Sequence, residues 1–312
     1  METCDARCPS TPPPQQQQPR LPILRTPDGG AACVALLVHF SGAGGTVLWE
    51  GMRRATGSTG IGGGSGGMSF PRTPGGMWGC QGLATQAAWT EAMDPSGRRC
   101  GCAELLQERA RSGFVTWSME NPVGVPYGPE PHGCECVAYW TAVRPPVERI
   151  LSRMYKKTVV GVMASPAAVR HALERTTRLN ASGRLRGMQE FSGTAAVDNW
   201  MVRSLGGAEV YRRGLGALDE AHYATAKARL ARMHAIPMAN LSSAATAALL
   251  GLPRGARLGV ATSGHGHAGV PAEALADDFV ELLERHNRLD ARLYRYAQRL
   301  YESRVRARAR AL

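Results

Sequence analysis

Arg144, Arg149 and Ser152 carry the spacing best suited to chemistry in this chain of 312 residues. The run just before them, Cys136-Val137-Ala138-Tyr139-Trp140-Thr141, is apolar and of strand length, which predicts a buried strand. Pro146 suits the first turn of a helix, where a missing N–H costs nothing. Arg144 then emerges at the carboxyl end of a strand, and Arg149 and Ser152 share one face of the helix that follows. Two guanidiniums and a hydroxyl near a helix N-terminus make a receptor for a phosphate. The bland alternative is a strand–helix joint with its arginines on a solvated face.

A second segment points the same way. Cys33-Val34-Ala35-Leu36-Leu37-Val38-His39-Phe40 reads as a strand, Ser41-Gly42-Ala43-Gly44-Gly45-Thr46 as a glycine-rich turn, and residues 47–54 as a helix. Strand, glycine turn and helix together present free backbone N–H groups to an anion, and glycine keeps side chains out of its way. The loop lacks the Gly-Lys-Ser/Thr ending of a Walker A motif.

The spacing Arg-x-Pro-x-x-Arg-x-x-Ser-x-x-Tyr over 144–155 resembles the 3′-phosphate segment of sulfotransferases that use 3′-phosphoadenosine 5′-phosphosulfate (PAPS). Residues 39–46 resemble that family's 5′-phosphosulfate loop, His-x-x-Lys-[Thr/Ser]-Gly-Gly-Thr, through His39, Gly44, Gly45 and Thr46. Further matches follow in the family's order. They are the strand-like Phe114 to Pro122; Asn199-x-x-x-Arg203-x-Leu205-x-Gly207; an amphipathic helix from Leu218 to Leu230 ahead of the last core strand; and Asn287-x-x-Asp290-x-x-Leu293-Tyr294. The resemblance spans residues 33–305 and is nearest in style to the Golgi carbohydrate O-sulfotransferases, including the heparan sulfate group. It implies a single α/β domain with a P-loop-like central parallel sheet flanked by helices, and PAPS as co-substrate without a metal. Arg144, Arg149 and Ser152 would hold the 3′-phosphate, and the backbone of Ser41, Gly42, Ala43, Gly44, Gly45 and Thr46 the 5′-phosphosulfate.

Gly42 departs from the family, which has lysine there to neutralise charge developing on the leaving phosphate. Lysine occurs only at 156, 157 and 227, and removing such a group costs a few kcal/mol of transition-state stabilisation. Weak turnover, or nucleotide or glycan binding without turnover, is therefore the first alternative. The second is an Arg-rich binder of nucleic acid or acidic polymer. The net charge of +12 and the basic pI favour anionic partners without choosing among them. Aromatics at 6% disfavour a stacking platform for single strands, which makes nucleic acid the lesser expectation. The arginines of the last helix, Arg292 to Arg310, read mostly as a solvated face, with a glycan or membrane surface as the minority reading.

Transfer to a hydroxyl, expected on a carbohydrate, needs a base for the acceptor proton. Glu120, at the end of a strand, is the first candidate and His132 the second; for Glu120 the bland role is a cap or ion pair at the sheet edge. Residues 1–30, rich in Pro and Gln, read as disordered. The domain then spans 31–312, with a flexible glycine-rich insertion at 57–79. His265-x-His267 reads as an exposed loop rather than a metal site. Cys33 and Cys136 fall in core strands, whereas Cys80, Cys100, Cys102 and Cys134 flank loops, where disulfides rank above metal. The resemblance implies a Golgi lumen or membrane location. No run approaches the ~20 apolar residues of a membrane span, so the chain reads as soluble or as lacking a first exon.

Overall fold

The computed structural model describes residues 24–25, 31–32, 34–38, 40, 43, 48, 51, 72–73, 76–77, 116–119, 137–154, 166–175, 195–211, 213–252, 258 and 276–310. Four strands, β1 (Val34–Val38), β2 (Thr116–Met119), β3 (Val137–Val143) and β4 (His234–Pro237), form one sheet. All three pairings are parallel, and the spatial order is β2-β1-β3-β4. The register sets Ala35 against Thr116, Leu37 against Trp140, and Val143 against Pro237. Every residue of β3 is buried. A parallel strand covered on both faces needs that unbroken apolar run rather than an alternating one.

Eight helices among the described residues flank this sheet: α1 (Pro146–Met154), α2 (Pro166–Arg175), α3 (Trp200–Gly206), α4 (Ala208–Tyr211), α5 (Glu220–Leu230), α6 (Ala244–Leu249), α7 (Asp277–His286) and α8 (Arg288–Arg310). One layer buries Tyr139 and Val143 of β3 against Trp200, Met201 and Leu205 of α3 and Leu289 and Leu293 of α8. The other buries Trp140 and Ala142 against Leu48, Leu249, Leu258 and Tyr301. A third cluster joins Ile150 and Leu151 of α1 to Val169, Leu173, Phe279 and Leu283. Each fully buried Leu or Ile in these layers adds roughly 1.5–3 kcal/mol relative to exposure.

Helix α8 belongs to both main layers. Its first half lies in one cluster and Tyr301 in the other. Between them it packs on β4, the edge strand. Arg304 donates to the carbonyls of Ala231 and Met233, just ahead of β4.

Local chemistry explains where the helices begin. Pro146 opens α1 with Glu148 in its first turn, where a carboxylate meets the positive end of the helix dipole. Asp219 caps α5 by accepting from the amides of Ala221 and His222, while the His222 ring accepts from the Asp219 amide. Leu48 and Gly51 are helical, as expected after the glycine turn. Leu24–Arg25, inside the segment expected to be disordered, pairs antiparallel with Ala31–Ala32. Arg72–Thr73 pairs likewise with Gly76–Met77 inside the expected insertion. The cysteines and the His265 loop lie outside the described residues.

Candidate functional site

Strand order decides where a site can form. The chain passes from β1 outward to β2 on one side, and from β3 outward to β4 on the other. Connections leaving β1 and β3 therefore diverge, and in open parallel sheets ligands occupy the crevice at such a reversal, beyond the carboxyl ends of the strands. The Thr141 hydroxyl marks the divergence by donating to the Val38 carbonyl at 2.8 Å. Past it, the Ala43 amide donates to the Phe40 carbonyl at 3.0 Å, closing a tight turn. Ala43 is fully buried, and its amide serves that turn rather than a ligand. Ser41, Gly42, Gly44, Gly45, Thr46, His39, Glu120 and His132 lie outside the described residues.

Arg144 leaves the end of β3 on the neighbouring side of the crevice. Its side chain is 23% exposed, and Nε donates to Glu148 Oε2 at 3.2 Å. Its terminal nitrogens have no partner among the described residues. Ser152 is half-buried two turns into α1. Arg149 differs from its expected place beside the phosphate: it is fully buried and donates to the Ala196 carbonyl at 2.5 Å. It shares the inward stripe of α1 with Pro146 and Ile150. Spacing alone cannot tell which face of a helix will find the core.

Sequence reasoning missed Met238. The register of β3 with β4 ends at Val143 beside Pro237, and Met238 follows Pro237 directly, opening a short 3-10 turn at the carboxyl end of β4. It is the exposed large hydrophobic among the described residues. No sequence signal marked it, because an apolar residue directly after a core strand ordinarily continues the core.

The Asn199 and Asn287 motifs, about 90 residues apart in sequence, meet in the fold. Asn199 Oδ1 accepts from the amides of Leu289 and Asp290 at the start of α8, at 3.0 and 3.1 Å. The Asp290 carboxylate in turn accepts from the amides of Met201 and Val202 at the start of α3, each at 2.9 Å. Each helix thus caps the other's free N-terminal amides. Asn287 adds a bond from the Asn199 amide to its Oδ1, and donates to the Val197 and Leu283 carbonyls. Arg203 pairs with Asp198 and donates to the carbonyls of Asp198, Arg213 and Gly214.

Charge in this interlock is tightly held. Burial opposes ionisation of Asp198, but Arg203, His286 and the Gly216 amide bring its pKa below the usual carboxylate range. For Asp290, burial dominates and pushes the pKa up to about 6, against the pull of Arg149 and the two α3 amides. Among the described residues no group of three His, Cys, Asp or Glu is placed to hold a metal, and no helix is long and apolar enough to cross a membrane.

Comparison with protein-family models gives no match, and comparison with curated proteins gives no significant relative. The fold itself defines a mixed α/β protein, a small parallel sheet flanked by helices.

Proposed function

We propose that the crevice between β1 and β3 binds PAPS, and that the chain transfers the sulfuryl group to a hydroxyl acceptor of the carbohydrate class. The observation that carries this reading is the position of Arg144. It stands at the carboxyl end of β3, next to β1 at the reversal of strand order, and directly ahead of the α1 N-terminus. A guanidinium fork and a helix start suit a 3′-phosphate there, with Ser152 as a further donor. The glycine-rich segment 41–46 follows the adjacent strand and suits the 5′-phosphosulfate. Met238 offers an apolar surface for the base. In this P-loop-like reading, Glu120 or His132 takes the acceptor proton.

Gly42 favours a second reading, a nucleotide binder with little turnover, because the loop itself then carries no cation for the leaving oxygen. Calorimetric titration with 3′-phosphoadenosine 5′-phosphate (PAP), with 5′-AMP as the comparison, tests both readings. PAP is expected to bind more tightly than 5′-AMP. Arg144→Ala should weaken PAP by about 1.5–3 kcal/mol, the range for hydrogen bonds to a charged group. A folded Arg144→Ala chain with unchanged PAP affinity overturns the 3′-phosphate assignment. Salt-dependent polymer binding that ignores PAP overturns the nucleotide reading altogether.

A further inference from the structure

We infer that Arg149 is a positioning residue, mooring the phosphate-binding helix α1 to the interlock between α3 and α8; this rests on the nucleotide reading above. A buried guanidinium is an expensive way to fill space, since an apolar side chain of similar volume avoids the desolvation. What arginine adds is direction. One arm of Arg149 reaches the Ala196 carbonyl, and its charge attracts Asp290. Ala196 begins the short stretch 196–199 on which the interlock converges. Its Val197 carbonyl takes Asn287, and Asn199 takes the start of α8.

The turn of α1 about its own axis is therefore keyed to the hydrogen-bonded interlock between α3 and α8. Glu148, which holds Arg144, and Ser152 lie one residue before and three after Arg149 on that helix. Hydrophobic contacts of Ile150 and Leu151 keep α1 against α7 and α2, but apolar packing is non-directional and tolerates rotation. The hydrogen bond from Arg149 to the Ala196 carbonyl is directional and does not.

The test uses the full chain and the ratio of 5′-AMP to PAP dissociation constants, read beside the melting temperature. Arg149→Lys keeps a positive charge near Asp290 but loses the planar fork. The wild type is expected to prefer PAP at least tenfold, and Arg149→Lys to lose about tenfold of that preference. Its 5′-AMP affinity should stay within twofold, because the 5′ arm is held by a different segment. Should Arg149→Lys fail to fold, the double variant Arg149→Met with Asp290→Asn, which removes both charges at similar volume, is expected to show the same loss of preference. A folded variant with undiminished preference, or one that weakens both nucleotides equally, overturns the inference while leaving the nucleotide reading intact. A wild-type chain that binds neither nucleotide overturns both.

Discussion

Replacing Asn199 by glycine deletes four side-chain hydrogen bonds without disturbing the backbone shape. Asn199 is 5% exposed and adopts the left-handed conformation, φ 47 and ψ 48, which glycine reaches freely. Its amide donates to the His286 carbonyl at 2.7 Å and to Asp198 Oδ1 at 3.2 Å, and its oxygen accepts from Leu289 and Asp290. At an exposed cap, glycine costs only a few tenths of a kcal/mol because water replaces the side chain. Here the amides are dry, so each lost bond counts at about 1 kcal/mol, giving a loss of roughly 3–4 kcal/mol for Asn199→Gly. Asn199→Ala adds the left-handed strain of a side chain, about 1 kcal/mol more. Urea unfolding, followed by circular dichroism and by tryptophan fluorescence, measures both losses. A glycine variant within about 1 kcal/mol of wild type would refute the reciprocal cap. An alanine variant no weaker than the glycine one would refute the backbone assignment.

Three further outcomes are expected. Gly51→Ala should lose about 1–3 kcal/mol in thermal melts, because a Cβ there would lie 2.8 Å from Leu258 Cδ2 and 3.0 Å from its Cα, which cannot swing aside. Asp290 titrates near 6 in the folded chain against 3.8 when unfolded, so its contribution to stability is complete below the lower value and is lost as pH rises through the upper one. The stability of wild type relative to Asp290→Asn should then fall by about 2 kcal/mol from pH 4 to pH 7; a flat or rising difference in urea midpoints contradicts this. Gly42→Lys should raise sulfuryl transfer more than it changes PAP affinity, as a charge acting on the leaving oxygen would. Equal turnover with equal affinity would show that the missing lysine limits nothing.

Strand β3 and the start of α1 were legible because a largely apolar run, closed by Arg144 and two prolines, reads as a buried strand leading into a helix. The helices at 200–206, 220–230 and 288–310 were legible from motif and periodicity. Arg149 was not, because an arginine three residues from a serine satisfies the pattern of a binding face whichever way the helix turns. Ile150 and Leu151 draw α1 against α7 and α2, and the Ala196 carbonyl, 47 residues on, takes the Arg149 guanidinium, a partner no local pattern shows. Nor could the sequence announce that Asn199 and Asp290 would cap each other's helices. Each motif reads locally as one amphipathic helix with polar residues at its start, and the partner lies about 90 residues away. Met238 stayed hidden because an apolar residue after a strand ordinarily signals core.

The course of α8 bears on the order in which the molecule can be completed. During synthesis, α3 and β4 leave the ribosome well before Asp290 and Tyr301. Until those residues arrive, the first amides of α3 lack their carboxylate and β4 is an open edge, a template for pairing with other chains. The two main layers are thus joined through contacts of long sequence separation, a kind that forms slowly because the intervening loop must close first.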